Sequence, residues 1–191
     1  EHLGSGEVFG VNVSYDFQRV LDGDAGGIRC ANTARFSNAK YVFVLFGDTV
    51  FSDLSDLRSL QRDFLSHVND PSFVGAMSFR EHDPVIPEGS ERFPYGVAKL
   101  SDGFVRELFE KPSVDELSEF VVDGVVPSIA PAYVFKKDDL FRLIDDLYSS
   151  EVVGEFHLSD AIKLALSKGL RFSGYTIRGE SRDMGRPLPY L

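Results

Sequence analysis

Two patterns of apolar residues alternate along the first half of the chain. The continuous apolar run at residues 41–46 predicts a strand buried on both faces of a parallel sheet, and residues 73–79 predict another strand. Between them, apolar residues recur at helical spacing from Leu54 to Val68, which predicts an amphipathic helix. This alternation of strand and helix favours an α/β fold with a doubly wound, mostly parallel sheet.

The rest of the chain supplies the same kinds of element. Strict alternation at residues 11–17 predicts a strand, and the glycine-rich stretch 22–27 leads into a predicted helix at 28–34. Ser159 is expected to cap a later helix with its hydroxyl group. The other predicted elements are a loop or lid at 81–92, a hairpin of 96–100 and 104–109, a short helix at 114–120, strands at 132–135 and 170–177, and helices at 138–148 and 158–167.

Composition indicates a single domain that spans residues 1–191. Apolar residues make up 43% of the 191 positions, which is enough for a sizeable core. No apolar run reaches the roughly 18 residues of a membrane span, and residues 1–6 do not resemble a signal peptide. The single cysteine, Cys30, cannot form an internal disulfide, so we expect a cytoplasmic protein with Cys30 as a small buried helix residue.

Charge and motif spacing exclude several classes of function. The net charge of −10 argues against a nucleic-acid surface but still permits small anionic ligands beside a metal or a few cations. The four histidines show no spacing typical of zinc ligands, and no Gly-x-Ser-x-Gly elbow is present. We therefore expect neither nucleic acid nor a membrane as a partner, and the sequence leaves a homo-oligomer open.

Asp48 is the strongest single candidate for chemistry. It follows the predicted strand 41–46, at the edge of an α/β sheet where ligands bind, and its carboxylate could hold Mg²⁺. A role as a helix cap or a turn residue is equally compatible with its position. Asp183 is a second acidic residue in a turn after the last strand, and taken alone it fits a surface turn. Glu110-Lys111 could bind sugar hydroxyls and a phosphate, or could be solvated surface.

Short segments resemble the sugar-1-phosphate nucleotidyltransferases, the family of NDP-sugar pyrophosphorylases, along essentially the whole chain. Each is modest, but their order makes the resemblance specific. In chain order they are Tyr15-x-x-Gln18, Gly23-Asp24-Ala25-Gly26, Gly47-Asp48, Tyr95-Gly96-Val97, Glu110-Lys111-Pro112, the stretch 154–162 and Asp183-Met184-Gly185-Arg186-Pro187.

The resemblance implies a role for each matching position. Asp48 and Asp183 would be the catalytic ligands of Mg²⁺. Gln18 and Gly23 would contact the nucleobase. The sugar phosphate would be held by Gly96, Glu110 and Lys111, and Ile129 would line the sugar site.

Several positions depart from the family pattern. Asp24 replaces a threonine and would put negative charge near the nucleotide, Pro131 replaces a glycine and lacks an N–H donor, and Arg186 replaces a threonine. The family's opening strand and Gly-x-Gly-Thr-Arg-Leu loop have no counterpart here, so we expect an N-terminally truncated domain. A tryptophan that many members carry just before the last aspartate is also absent.

The expected function is formation of an NDP-sugar and pyrophosphate from a nucleoside triphosphate and a sugar 1-phosphate, with glucose 1-phosphate and UTP or dTTP as the expected pair. Two alternatives stay open. The first is a non-catalytic regulatory or scaffold relative that keeps the fold, which the changes at Asp24 and Pro131 favour. The second is a glycosyltransferase of similar architecture, although Asp48-Thr49-Val50 lacks the second aspartate of an Asp-x-Asp motif.

Overall fold

A mixed sheet forms the centre of the molecule in a computed structural model that describes residues 3–31, 33–149 and 154–184, apart from the side chains of Thr33 and Asp183. In spatial order, the strands of the described sheet are β1 (Tyr41–Leu45), β6 (Val126–Lys136), β3 (Phe73–His82), β7 (Arg171–Thr176), β5 (Phe104–Phe109) and β4 (Val97–Ser101). A small second sheet pairs β2 (Thr49–Phe51) with β8 (Ser181–Asp183).

Most strands run in one direction, as a mostly parallel sheet would require, but most neighbouring strands are antiparallel. The pairings give β1, β3, β4 and β7 one common direction, whereas β5 and β6 run the opposite way. Within the described sheet, only β3 and β7 are parallel neighbours. The expectation of mostly parallel pairing is therefore wrong, because β6 enters between β1 and β3 and β5 separates β7 from β4.

Helices cover both faces of this sheet, which confirms the doubly wound α/β architecture. The helices are α1 (Asp24–Arg29), α2 (Leu54–His67), α3 (Val114–Ser118), α4 (Lys137–Tyr148) and α5 (Leu158–Ser167). One face of β3 packs with α4 and α5 in the larger core cluster. The other face packs with α2, through Leu60 and Phe64 against Phe73. Adjacent strand residues point to opposite faces, so one strand serves both cores.

The predicted strand at residues 11–17 is wrong. The segment has no strand structure, and no described strand pairs with it. Its alternating side chains Val11, Tyr15 and Phe17 are 54%, 62% and 83% exposed. Alternation indicates which way side chains would point in a strand, but the strand itself requires a hydrogen-bonding neighbour.

The predicted helix at 28–34 is shifted. Helix α1 begins at Asp24, so the glycine-rich stretch forms its first turns, and a 3₁₀ turn follows at Thr33–Phe36. Asn32 lies outside the described residues. Cys30, expected to be a buried helix residue, is instead an exposed residue at the end of α1.

Strand β1 is present as predicted but is not buried on both faces. Its alternate residues Tyr41, Phe43 and Leu45 are between 39% and 49% exposed, whereas Val42 and Val44 pack against the larger core. The cause is position, because β1 lies at the end of the described sheet and has β6 as its one neighbour there.

Local signals predicted the hairpin and the later helices well. Asp102 and Gly103 both adopt positive φ, 54° and 76°, as a tight turn between antiparallel strands requires. Helix α3 begins with a capping box in which the Ser113 hydroxyl group and the Glu116 side chain bond each other's backbone N–H groups. Strand β3 extends to His82, so the predicted loop or lid begins two residues later than expected.

Pro131 lies in a β-bulge of β6, and the bulge explains how a proline is tolerated there. The pairing with β3 shifts from Met77 opposite Tyr133 to Ser78 opposite Ala130, which leaves two residues of β6 out of register. The buried Ser78 hydroxyl group lies within hydrogen-bonding distance of the carbonyl groups of Ala130 and Ala132, which share its single hydrogen. A missing N–H costs little where the ladder is already interrupted.

Candidate functional site

A cavity of about 520 Å³ opens at the C-terminal ends of β1 and β3. This is the edge at which open α/β sheets bind ligands. The residues that line it come from strands, helices and the segments that connect them. They are Asp24, Phe46, Asp48, Thr49, Arg80, His82, Pro94, Tyr95, Gly96, Glu110, Lys111, Ser128, Ile129, Pro131, Tyr133, His157, Ser159 and Ser181.

Three of the predicted substrate-binding residues lie together at one corner of this cavity. The carbonyl group of Gly96 accepts a hydrogen bond from the N–H of Ile129 at 2.8 Å. A Cβ atom on Gly96 would lie 2.8 Å from Cδ1 of Ile129 and 3.0 Å from Oε2 of Glu110. We call Gly96, Glu110 and Ile129 the Gly96 corner, where a side chain at position 96 would displace the ends of the Ile129 and Glu110 side chains.

Lys111 joins the Gly96 corner in an unusual backbone conformation. Its φ is 48°, in the left-handed region that non-glycine residues rarely adopt. Arg92 stabilises this turn by donating a hydrogen bond from Nη1 to the Lys111 carbonyl group at 3.0 Å. Lys111 and Glu110 both line the cavity, so the lining contains a cation and a carboxylate from adjacent positions in the chain.

The backbone brings Asp48 and Asp183 together from distant parts of the sequence. The N–H of Met184 donates a hydrogen bond to the Asp48 carbonyl group at 2.6 Å, and Asp183 pairs with Thr49 in the small sheet. Asp48 is exposed and lines the cavity. The side chain of Asp183 and residues 185–191 lie outside what the structure describes, so convergence of the two carboxylates stays a prediction.

The donor chemistry at this position fits Mg²⁺. Among the described side chains, no group of three or more His, Cys, Asp and Glu residues could hold a metal ion. Mg²⁺ needs less than that, because it is usually bound by one or two carboxylates together with substrate phosphates and water. Asp48 with Asp183 would supply such a pair.

Gln18 and Gly23 are not among the residues that line the cavity, although Gly23 immediately precedes the lining residue Asp24. Nε2 of Gln18 donates hydrogen bonds to Oδ1 of Asp22 at 3.0 Å and to the Gly23 carbonyl group at 2.9 Å. The Tyr148 hydroxyl group donates to the other oxygen of Asp22 at 2.6 Å and lowers the pKa of that carboxyl group. The predicted contact of Gln18 and Gly23 with a nucleobase is not tested by this arrangement.

Comparison with known proteins decides the family. The sequence model of one family, described as Nucleotidyl transferase, matches residues 1–191. The chain belongs to the nucleotidyl transferase family. It is 25% identical over 182 residues to the bifunctional protein GlmU of Acetivibrio thermocellus, and 23% identical over 180 residues to that of Staphylococcus carnosus. These alignments cover 94% of the chain but 36% of each relative, so the chain spans about a third of their length.

Solved structures share the fold of this nucleotidyl transferase. A protein of Bacillus anthracis described as a glucose-1-phosphate thymidylyltransferase has a TM-score of 0.69 at 21% identity, over 97% of this chain and 65% of that one. A UDP-glucose pyrophosphorylase complexed with UDP-glucose has a TM-score of 0.64 at 18% identity, over 91% and 61%. At these identities the likeness concerns the fold. The described part of the transferase has no helix long and apolar enough to cross a membrane.

Arg80 is a cavity residue of the transferase that sequence reasoning missed. Its Nη1 donates a hydrogen bond to the Ser181 carbonyl group at 2.8 Å, which links β3 to the small sheet that carries Asp183. Arg80 and Lys111 provide fixed positive charge among the lining residues, against the acidic Asp24, Asp48 and Glu110. No motif marked Arg80, although its place near the end of β3 was a usable signal.

Tyr133 forms the floor of the transferase cavity, and it too was not singled out by the sequence. The side chain is only 3% exposed. Burial raises the pKa of Tyr133, and the negative charges of Asp24 and Glu110 raise it further. The hydroxyl group therefore stays protonated at neutral pH.

The structure gives Asp24 a structural role at the N-terminus of α5. Its Oδ1 accepts a hydrogen bond from the N–H of Leu158 at 2.6 Å, and its Oδ2 lies 3.7 Å from Nδ1 of His157. The prediction that Ser159 caps this helix is wrong. His157 occupies the cap position without a side-chain bond, and Asp24 reaches across from α1 to satisfy the free N–H. A carboxylate there also interacts favourably with the helix dipole.

Replacing Asp24 with alanine is expected to lower the free energy of unfolding by about 1–2 kcal/mol, because α5 loses its cap. Asp24→Asn keeps a capping oxygen and should lose less than half as much. Urea unfolding of the two variants beside the parent protein measures both values. Equal losses in the two variants would contradict the capping role.

Proposed function

We propose that the full-length protein is a sugar-1-phosphate nucleotidyltransferase, which forms an NDP-sugar and pyrophosphate from a nucleoside triphosphate and a sugar 1-phosphate. The observation that carries the proposal is the hydrogen bond from the Met184 N–H to the Asp48 carbonyl group, which holds the backbone next to Asp183 against the cavity residue Asp48. The Gly96 corner supports it, because the absence of a side chain at Gly96 leaves space beside the Glu110 carboxylate in the cavity. Glucose 1-phosphate with UTP or dTTP is the proposed substrate pair.

The proposed reaction is an in-line displacement at phosphorus. An oxygen of the sugar 1-phosphate attacks the α-phosphorus of the nucleotide, a new P–O bond forms, and the bond to the β-phosphate breaks as pyrophosphate leaves. Asp48 and Asp183 would hold Mg²⁺, which when bound neutralises phosphate charge. Lys111 and Arg80 bring further positive charge to the cavity, so the chain acts by positioning and charge neutralisation more than by proton transfer.

Pyrophosphate release by the full-length protein tests this function. We expect release with Mg²⁺, glucose 1-phosphate and UTP or dTTP, and much slower release with the other nucleoside triphosphates. Several other sugar 1-phosphates should be tested beside glucose 1-phosphate. If no combination releases pyrophosphate while a nucleotide or an NDP-sugar still binds, the protein is the non-catalytic relative instead.

The two positions that favoured a non-catalytic relative also have structural roles. They are Asp24 and Pro131, which depart from the family pattern. Asp24 caps α5, and Pro131 lies in a bulge of β6 where no ladder bond is lost. Both changes therefore have a structural explanation, but both residues also line the cavity, so the measurement of pyrophosphate release decides between the two functions. A cytoplasmic location, proposed from the single cysteine, and a homo-oligomeric state stay open to separate tests.

A further inference from the structure

His82 and Ser128 form a hydrogen-bonded pair in the wall of the cavity. Nδ1 of His82 lies 2.5 Å from Oγ of Ser128, and the Ser128 hydroxyl group donates to the Arg80 carbonyl group at 3.0 Å. A hydroxyl group has one hydrogen and a carbonyl group can only accept. Both bonds are made together only if Nδ1 of His82 carries a proton and donates it to Ser128. Ser128 thereby fixes the tautomer of the histidine.

The opposite nitrogen of the His82 ring is left as an acceptor. Nε2 makes no hydrogen bond with the described residues, although His82 lines the cavity. Burial lowers the pKa of His82 and the nearby charge of Arg80 lowers it further, while Asp83 acts weakly in the other direction. The ring is therefore neutral at pH 7, and Nε2 offers a lone pair.

Aromatic packing holds the ring in place. The Tyr95 ring is stacked on His82 with centroids 4.6 Å apart and an interplanar angle of 6°. Phe93 approaches the same ring edge-on at 6.3 Å. Ser128 is only 1% exposed, so the hydroxyl group that orients the ring is itself fixed. An acceptor held this rigidly loses little conformational freedom when a ligand binds.

The pair lies next to the Gly96 corner. Ser128 is opposite Val97 in the pairing of β6 with β4. Each of the two is followed or preceded in the chain by a residue of the Gly96 corner, since Ile129 follows Ser128 and Gly96 precedes Val97. Tyr95, which stacks on His82, immediately precedes Gly96. His82 therefore lines the cavity on a strand that pairs with β6, which carries Ile129 of the proposed sugar site.

We propose that Nε2 of His82 accepts a hydrogen bond from a hydroxyl group of the sugar 1-phosphate, and that Ser128 positions it to do so. The inference rests on the proposed function, since it concerns the sugar of that reaction. An acceptor without a proton selects a sugar that presents a donor at this point. A deoxy sugar leaves it unpaired, and a sugar carboxylate there meets a lone pair, with the Glu110 carboxylate lining the same cavity.

Three substitutions separate the acceptor from the shape of the ring. His82→Phe keeps stacking on Tyr95 but removes both nitrogens. His82→Asn keeps a donor near the Nδ1 position but has no group at Nε2, whereas His82→Gln can place its amide oxygen near Nε2. In the full-length protein we expect the KM for the sugar 1-phosphate to rise about 10-fold in the Phe and Asn variants, with partial recovery in the Gln variant. The KM for the nucleotide should be unchanged.

A series of singly deoxygenated sugar 1-phosphates makes the test decisive. In the unsubstituted protein, one deoxy analogue should bind about 10-fold more weakly than the parent sugar 1-phosphate. In His82→Phe and in His82→Asn, the same analogue and the parent sugar 1-phosphate should bind with equal affinity. If every analogue loses the same factor with and without His82, the inference is wrong. If the unsubstituted protein releases no pyrophosphate, the proposed function fails, and the same comparison is then made with calorimetric affinities for the sugar 1-phosphates.

Discussion

Asp48→Asn is expected to lower the Mg²⁺-dependent kcat of the full-length protein by about 100- to 1000-fold. The substitution keeps the size of the side chain and the carbonyl group that bonds Met184, so the link between β1 and the small sheet should survive. What is lost is one negative charge at the cavity. Charge stabilisation by a bound metal contributes several kcal/mol to phosphoryl transfer, and each 1.4 kcal/mol corresponds to a tenfold change in rate.

Asp138→Asn provides the matched control, because it makes the same change of charge outside the cavity. The Asp138 side chain is 95% exposed in the first turn of α4. Pyrophosphate release should be measured in both variants across a range of Mg²⁺ concentrations, with thermal unfolding to confirm the fold. Turnover of Asp48→Asn equal to that of Asp138→Asn would remove Asp48 from the mechanism.

Local patterns sufficed for elements whose signals lie within a few residues. Helix α2 ends one residue before the predicted boundary, and α5 has the predicted bounds, because helical spacing of apolar residues is itself the cause of burial. The turn at Asp102-Gly103 was equally readable, since few residue pairs tolerate positive φ in succession. These parts of the fold depend on near neighbours in the chain.

Features set by distant neighbours were not predictable in the same way. Residues 11–17 alternate as a strand does, but no described strand pairs with them. Strand β1 is apolar throughout, yet its place at the end of the described sheet leaves alternate residues exposed. Asp24 lines the cavity, but its second role as the cap of α5, across a large sequence separation, was not predicted.

The residues of the candidate site also fall into those that a sequence motif identifies and those that depend on distant contacts. Resemblance to a family gave Asp48, Gly96, Glu110, Lys111 and Ile129, which all line the cavity. It could not give Arg80 or His82, whose importance comes from contacts with Ser181 and Ser128 on other strands. A sequence motif records residue types at fixed spacing, whereas a histidine tautomer is fixed by a partner that only the folded chain supplies.

Gly23→Ala is expected to destabilise the protein by about 2–6 kcal/mol. Gly23 has φ 101° and ψ 177°, a region that is essentially restricted to glycine and costs other residues about 1–3 kcal/mol. A Cβ atom there would lie 2.2 Å from the Phe156 carbonyl oxygen and 2.8 Å from two further backbone atoms of Phe156. Overpacking against backbone adds about 1–3 kcal/mol, because the contact can be relieved only by moving the chain.

The movement would affect more than one residue. Phe156 donates a hydrogen bond to the Asp22 carbonyl group at 2.7 Å and accepts one from Ala25 at 3.1 Å, so the Cβ atom would enter between two paired segments. Gly27→Ala is the control within the same helix. Its Cβ atom would first meet the flexible end of Gln18, at 3.3 Å. Urea unfolding should therefore show a large loss for the first variant and little change for the second.

Enzyme kinetics on Gly23→Ala can then separate structure from recognition. If Gly23 acts only by holding α1 against Phe156, the nucleotide KM of the folded variant should rise only because Asp24 is displaced. Asp24→Ala releases the bond between Asp24 and the N–H of Leu158 without adding a Cβ atom at Gly23, so it measures how far the loss of Asp24 by itself changes the nucleotide KM. A rise in the nucleotide KM well beyond that of Asp24→Ala would instead support the predicted contact of Gly23 with the base. Loss of stability no greater than in Gly27→Ala would refute the backbone clash from which both expectations derive.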